Sequence, residues 1–506
     1  MTALEKQKTI AVVGAGTMGI GIAQVAAAAG HPVLLYDLSE AVVVKGLEKI
    51  ASGLERQVER KRMTLQDKES LLKNIRICND LEKLAAASLV IEAIVEDISV
   101  KQKLFADLEE ICDLNCIFAT NTSSISVTAI GCVLDAPGRL LGMHFFNPAP
   151  IMKLVEIISG LATEPSIAEV IFDTAENWGK TAVHARNTPG FIVNRVARPF
   201  YAESLRLLQE GAADVSTIDA IVRDAGGFRM GPFELMDLIG QDINYAVTCS
   251  VHRAFYGDPR FTPSLLQQEL VDGGFLGRKS GHGFYYYGDS PTPLEARNYD
   301  ACTPPDQLSF VGESYCSELL NDMIEEAGIR IEQESGEVFS IVGDNFTLCQ
   351  TDGRMATLRA AQDDVENLVL FDLALDYKLT NRIAICSADN TDPAALESVC
   401  GLFQALGKQV NLLDDVAGLC VMRTVCMLIN EAADAVNQRV CSVSAVDTAM
   451  KAGLNYPLGP FAWADLISID LVLQVLDNLV DNYGEDRYRA SPLLIRKLAA
   501  ARNFYD

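Results

Sequence analysis

The chain has 506 residues, and at roughly 100–200 residues per domain it divides into about three to five domains. Its 42 Lys+Arg against 68 Asp+Glu give a formal net charge of −26, which argues against nucleic acid and against an anionic membrane surface as partners, because both need a basic footprint. Hydrophobic residues make up 49% and charged residues 22%, the balance of a globular chain rather than a disordered one.

Residues 9–13 are a short β-branched run that predicts a buried strand. A glycine cluster follows, then an alanine-rich stretch over 20–29 that reads as a helix. VLLYD, ending at Asp37, predicts a second strand. Residues 41–73 read as helical and amphipathic, with a basic tract at Arg60, Lys61 and Arg62. Further strands are predicted at 75–78, 89–94, 116–121, 140–146 and 154–158. Strands alternating with helices imply a mostly parallel sheet covered on both faces, so residues 1–186 are expected to form an α/β Rossmann-type domain. From Asn187 the segment TPGFIVNR opens a helical domain, 187–288, which ends in the glycine-rich GFLGRKSGHGFYYYG. The proline-rich stretch 289–307 reads as a linker. Residues 308–412 return to a mixed strand and helix pattern, and 413–506 return to helix.

The second half repeats the first. A constant offset of 228 carries Gly179-Lys180 onto Gly407-Lys408, Gly190 onto Gly418, Arg195 onto Arg423, Glu203 onto Glu431, and Gly231-Pro232-Phe233 onto Gly459-Pro460-Phe461. The expected architecture is thus a Rossmann domain and an all-α domain, followed by a degenerate second α/β plus all-α copy. Residues 413–506 are expected to pack on 187–288 as a pseudo-two-fold pair, with self-association of whole chains left open. Thirteen scattered cysteines without a CxxC pair suggest neither a zinc site nor a disulfide framework, so no metal and reduced thiols in the cytoplasm are expected. No secretory signal and no run of about 18 apolar residues is visible, so no membrane span is expected.

Gly14, Gly16 and Gly19 form G-x-G-x-x-G between a predicted strand and a predicted helix, the context that gives this loop meaning. There the first glycine permits a tight turn, the second a close approach of pyrophosphate, and the third helix–strand packing, with the anion at the helix N-terminus. A carboxylate at Asp37 suits ribose hydroxyls and repels a 2′-phosphate, which favours NAD over NADP; the bland alternative is a helix N-cap. His144 ends an apolar strand, and Glu156 interrupts the apolar LVEII, where an unpaired charge is costly. A hairpin-like pairing would set them side by side as base and orienting acid. Otherwise His144 is a core residue bonded to backbone, and Glu156 is exposed on an edge strand. Ser123, in TNTSS at the end of a strand, is either a hydrogen-bond donor to substrate or part of the next helix cap. Asn194, in FIVNR, is a cross-domain bond or a substrate contact. Glu96 and Lys101 have a solvated helix face as their plain reading.

GAGTMGIGIA, IEAIVED, NTSS, HFFNPAPIMKLVEII and TPGFIVNR, in this order, resemble the L-3-hydroxyacyl-CoA dehydrogenase family over about residues 8–288. The length and the duplicated half resemble its long bacterial form. The resemblance implies NAD-dependent oxidation of an L-3-hydroxyacyl-CoA to the 3-oxoacyl-CoA, with 3-hydroxyadipyl- or 3-hydroxybutyryl-CoA from fatty-acid or aromatic-acid degradation as substrates. It implies His144 as general base, Glu156 as its partner, and Ser123 and Asn194 on the substrate oxygens. It implies Gly14, Gly16, Thr17, Met18, Gly19, Asp37, Glu96, Lys101, Asn121, Ser123 and Asn147 around NAD. Lys61 and Arg62 are the implied CoA contacts, although Leu54 stands where the family carries a Ser. Arg195, Arg198 and Arg229 are candidate cations for a substrate with a terminal carboxylate. Under the offset of 228, His144, Glu156 and Asn194 become Asp372, Ala384 and Met422, so the second copy is expected to be non-catalytic. The competing reading is a non-enzymatic NAD-binding protein on the same fold.

Overall fold

The computed structural model describes residues 3–289, 294–336 and 338–505, so part of the proline-rich linker, residues 290–293, lies outside the described residues. The chain forms two compact units. The first runs to Arg195 and takes in Gln438–Leu454; the second comprises Val196–Asn437 and the stretch from Asn455.

The first unit holds an eight-stranded sheet in the order β3-β2-β1-β4-β5-β6-β7-β8. The strands are β1 (Ile10–Val13), β2 (Val33–Tyr36), β3 (Ile75–Cys78), β4 (Leu89–Glu92), β5 (Ile117–Thr120), β6 (Leu140–Phe145), β7 (Leu154–Ser159) and β8 (Thr181–Arg186). β1, β4 and β5 are buried along their whole length, as expected of continuous apolar strands in a parallel sheet. Only β6 and β7 pair antiparallel, with His144 opposite Glu156. The order reverses between β1 and β4, so the carboxyl ends of those strands flank the crevice where doubly wound sheets bind ligands. β8 goes unpredicted because TAVHAR carries too short an apolar run to stand out. The basic tract lies not within one long helix but in the turn between helices Glu40–Glu59 and Leu65–Asn74, where Lys61 has φ +56°.

The outer strands of this sheet are covered by the second copy. Helix Val443–Leu454 packs on β7 and β8. Gly453 approaches so closely that a Cβ there would lie 2.6 Å from Leu154 Cδ2. The Arg186 N–H donates to the Val440 carbonyl at 2.8 Å.

The second unit contains a seven-stranded mixed sheet in the order β10-β9-β11-β12-β13-β14-β15. Its strands are β9 (Gln307–Val311), β10 (Arg330–Glu334), β11 (Ser340–Val342), β12 (Thr347–Gln350), β13 (Leu368–Phe371), β14 (Arg382–Ser387) and β15 (Gln409–Leu412). This sheet is covered by the first copy. The π-helical turn Ile221–Ala225 lies on β14, and Arg382 Nε donates to Asp224 Oδ2 at 2.9 Å. The Asp414 N–H donates to the Ala212 carbonyl at 3.0 Å, which is the Arg186–Val440 bond with the copies exchanged under the offset of 228.

Within the second unit the helical copies also pair. Helix Arg198–Gln209 packs along Val421–Asn437. Buried Glu203 accepts from Arg423 at 2.8 Å and from Tyr488 at 3.0 Å, and buried Glu431 accepts from Arg260 at 3.1 Å. Glu203 and Glu431 are offset equivalents, as are Arg260 and Tyr488, so the expected pseudo-two-fold pairing is present. The described part of the linker is tied down: the Tyr299 N–H donates to the Val410 carbonyl at 2.8 Å.

Candidate active site

The dinucleotide loop follows from local sterics. Gly14 has φ +105°, and a Cβ there would meet Ala93 O at 2.4 Å. A Cβ on Gly19 would fall 1.8 Å from Gly14 O, so the helix Thr17–Ala28 presses directly on the turn. A Cβ on Gly16 meets nothing within 4 Å: the loop is open on that side, beside the helix N-terminus that Thr17 and Met18 begin. Asp37 accepts the Ala15 N–H at 2.8 Å and the Ser39 N–H at 3.1 Å. Ser39, not Asp37, occupies the N-cap position of the next helix. This open, anion-favouring cradle with a carboxylate beside it fits NAD.

Glu92 ends the apolar strand β4 fully buried, and Lys101, 1% exposed, reaches it from helix Ile98–Ile111 at 2.6 Å. The expected solvated face is therefore wrong for Lys101; burial of Glu92 requires a partner cation, and Lys101 supplies it. Glu92 also accepts from Thr120 Oγ1 at 2.7 Å. Sequence reasoning missed Glu92 and Thr120, although an acid closing an otherwise apolar strand is a readable signal. Lys101 contacts Glu96 as well, at 3.3 Å. Glu96 gathers the TNTSS turn, accepting from Thr122 Oγ1 at 2.6 Å and from the N–H groups of Ser123 and Ser124 at 3.1 Å each. Burial pushes the Glu96 carboxyl up, but the bond from Thr122, the charge of Lys101 and the bonds from Ser124 and Ser123 together hold it below the usual range.

Ser123 is not the cap of the following helix, because Ser126 holds that position and accepts the Ala129 N–H. The Ser123 hydroxyl makes no hydrogen bond among the described residues. Asn121 Oδ1 accepts the Phe145 N–H at 2.9 Å, fixing the end of β6 beside His144. Asn147 is exposed and Asn194 half-buried, each with a side-chain amide unbonded among the described residues. Lys61 and Arg62 are exposed, whereas Leu54 belongs to the core.

His144 and Glu156 meet. His144 Nδ1 lies 2.6 Å from Glu156 Oε2, with His144 6% exposed and Glu156 fully buried. Glu156 Oε1 accepts the backbone N–H groups of Ile192 and Val193, both at 3.0 Å. The ring is held between Phe146 and Phe191, with centroids at 4.6 Å and 5.7 Å. A buried carboxylate facing Nδ1 assigns the proton to that nitrogen and leaves the Nε2 lone pair for chemistry. The reading of Glu156 as an exposed edge residue is thus overturned.

The second copy answers the same structural need differently. Its strands keep the register, with Leu370 opposite Cys386 and the Asp372 N–H bonded to Ala384 O. Asp372, at the offset position of His144, accepts the N–H groups of Cys420 (2.9 Å), Val421 (2.7 Å) and Met422 (2.9 Å). Cys420 and Val421 are the equivalents of Ile192 and Val193, so one short acid in the histidine's place holds the backbone that Glu156 holds in the first copy. Burial pushes its carboxyl up to about 6, against the pull of those N–H groups. No imidazole remains at the equivalent site.

Comparison with known proteins follows the same divisions. The family described as 3-hydroxyacyl-CoA dehydrogenase, NAD binding domain, matches residues 9–188. The corresponding C-terminal domain matches twice, at 190–287 and 418–504, with starting points separated by the same 228 residues. A 3-hydroxybutyryl-CoA dehydrogenase reduced Rossmann-fold domain matches 348–416. The 3-hydroxyadipyl-CoA dehydrogenase of Escherichia coli K12 is 43% identical over 500 residues, 99% of each chain. A probable 3-hydroxybutyryl-CoA dehydrogenase of Bacillus subtilis is 41% identical over 280 residues, covering 55% of this chain and 97% of its own. The crystal structure of a 3-hydroxybutyryl-CoA dehydrogenase from Escherichia coli K12 superposes with a TM-score of 0.90 at 41% identity, over 99% of this chain and 100% of that one. No helix among the described residues is long and apolar enough to cross a membrane.

Proposed function

The chain belongs to the 3-hydroxyacyl-CoA dehydrogenase family, an NAD-dependent oxidoreductase acting on a CH–OH group, and from that premise we propose that His144 is its general base and Glu156 the residue that orients it. The observation that carries the proposal is the doubly engaged carboxylate: one Glu156 oxygen faces Nδ1 and the other is held by two backbone N–H groups. Glu156 therefore cannot swing away without leaving buried donors unpaired, and the ring keeps one tautomer. His144 Nε2 takes the proton of the substrate 3-hydroxyl, and Glu156 balances the imidazolium that forms. Bound NAD supplies the hydride acceptor. The Gly14–Gly19 loop and Asp37 hold it, with Asn147 and the Glu96 network at the rim. The unbonded Ser123 hydroxyl and Asn194 amide bond the substrate oxygens, and Lys61 and Arg62 meet the CoA phosphates. Holding both reactants in place supplies much of the barrier reduction.

The substrate is a 3-hydroxyacyl-CoA of the 3-hydroxybutyryl or 3-hydroxyadipyl type, the classes for which the long relatives are named. The test is NADH absorbance with both thioesters. His144→Ala lowers kcat by about 10²- to 10⁴-fold, the range for loss of a general base, while NADH affinity stays within about twofold. Parallel loss of both would mean that His144 only supports the fold.

A further inference from the structure

Arg198 opens the helix Arg198–Gln209 and is 5% exposed, yet no carboxylate pairs with it among the described residues. Its Nη1 donates to Thr248 Oγ1 at 3.0 Å, its guanidinium lies 4.8 Å over the Tyr201 ring, and its Nε is buried without a partner. An isolated buried cation costs several kcal/mol, which is why such groups are paired in structures or reserved for a ligand.

Arg198 lines a cavity of about 510 Å³ that lies wholly within the second unit. The other cations of its wall are already engaged. Arg206 pairs with Glu210 at 2.9 Å and Glu485 at 2.6 Å, and Arg487 lies 3.5 Å from Glu485. Three arginines against two glutamates leave the wall with one net positive charge, in a chain whose total is −26. The Ser264 hydroxyl, also on the wall, is buried without a partner.

The duplication supplies an internal control. Under the offset of 228, Arg198, Tyr201 and Thr248 become Cys426, Ile429 and Leu476, all buried. The second copy packs the same helices with no charge there, so the fold itself does not need a cation at this position.

We propose that this cavity is a carboxylate site, with Arg198 as its anion-binding residue and Ser264 as a second donor. The carboxylate belongs to a free small organic acid, a reading that does not rest on the dehydrogenase activity.

The experiment titrates free adipate by calorimetry into wild type, Arg198→Met and Arg198→Lys. Methionine removes a buried charge while filling the space, so a thermal midpoint at or above wild type verifies folding. Adipate binds wild type, its affinity falls roughly 10- to 100-fold in Arg198→Met, the worth of a charge-assisted hydrogen bond, and it partly recovers in Arg198→Lys. No adipate binding by wild type, or equal binding by wild type and Arg198→Met, overturns the proposal.

Discussion

Replacing Glu156 by glutamine is the sharpest test of the dyad, because the change is isosteric and its outcome follows from counting donors. The new amide must choose which end faces the backbone. Turning its NH₂ towards Ile192 and Val193 would leave two buried N–H groups without acceptors, each costing about 1–3 kcal/mol. The amide oxygen therefore stays on the backbone, and the NH₂ points at His144 Nδ1. That nitrogen must then accept, so the ring proton moves to Nε2 and the base is lost without any loss of shape. By analogy with amide-for-carboxylate exchange behind other catalytic histidines, kcat falls about 10³- to 10⁴-fold, or ~4–5 kcal/mol of barrier. Stopped-flow NADH absorbance reads kcat, and NADH titration by fluorescence reads affinity, which stays near wild type. A fall in kcat of less than about tenfold would refute the tautomer argument. So would an NADH affinity that drops in step with kcat.

Two further expectations follow from buried acids. Asp372→Ala leaves the N–H groups of Cys420, Val421 and Met422 unpaired, so urea unfolding should show a loss of about 3 kcal/mol or more with kcat per folded molecule unchanged; a loss under about 1 kcal/mol would show that water takes the acid's place. Glu96 is held below its unfolded pKa of about 4.3, so its contribution is complete above that pH and is lost as pH falls through the lower folded value. Urea midpoints taken from pH 7 down to 3 should therefore decline more gently below about 4.3 in Glu96→Gln, and identical acid limbs would contradict the assignment.

Apart from β8, the strands of the first sheet are legible because each is a short, mostly apolar run closed by a polar residue or glycine. His144 and Glu156 were legible for a related reason: a charge inside LVEII has to be answered by something. β8 escaped notice because its alternating TAVHAR carries little apolar signal, and its outer neighbour comes from more than 250 residues away in the sequence. Lys101 reads as solvated because a lysine on an amphipathic helix usually is, and only the buried acid Glu92 reveals where it points. The duplication was readable by position, but the exchange of covering helices was not. A repeat in sequence states which segments are alike, not which copy's sheet each one covers. Asp372 shows the same limit from the other side: the offset marks the loss of the histidine, while its new duty as a backbone acceptor appears only in three dimensions.

The reciprocal loan of Val443–Leu454 to one sheet and Ile221–Ala225 to the other makes the two repeats hostage to each other. A protease that nicked the chain between them would yield two fragments that still travel together, and a gene cut to its first half would leave β7 and β8 bare until a sibling copy covered them. The duplicated half thus roofs the strand that carries Glu156, a duty that needs no histidine of its own.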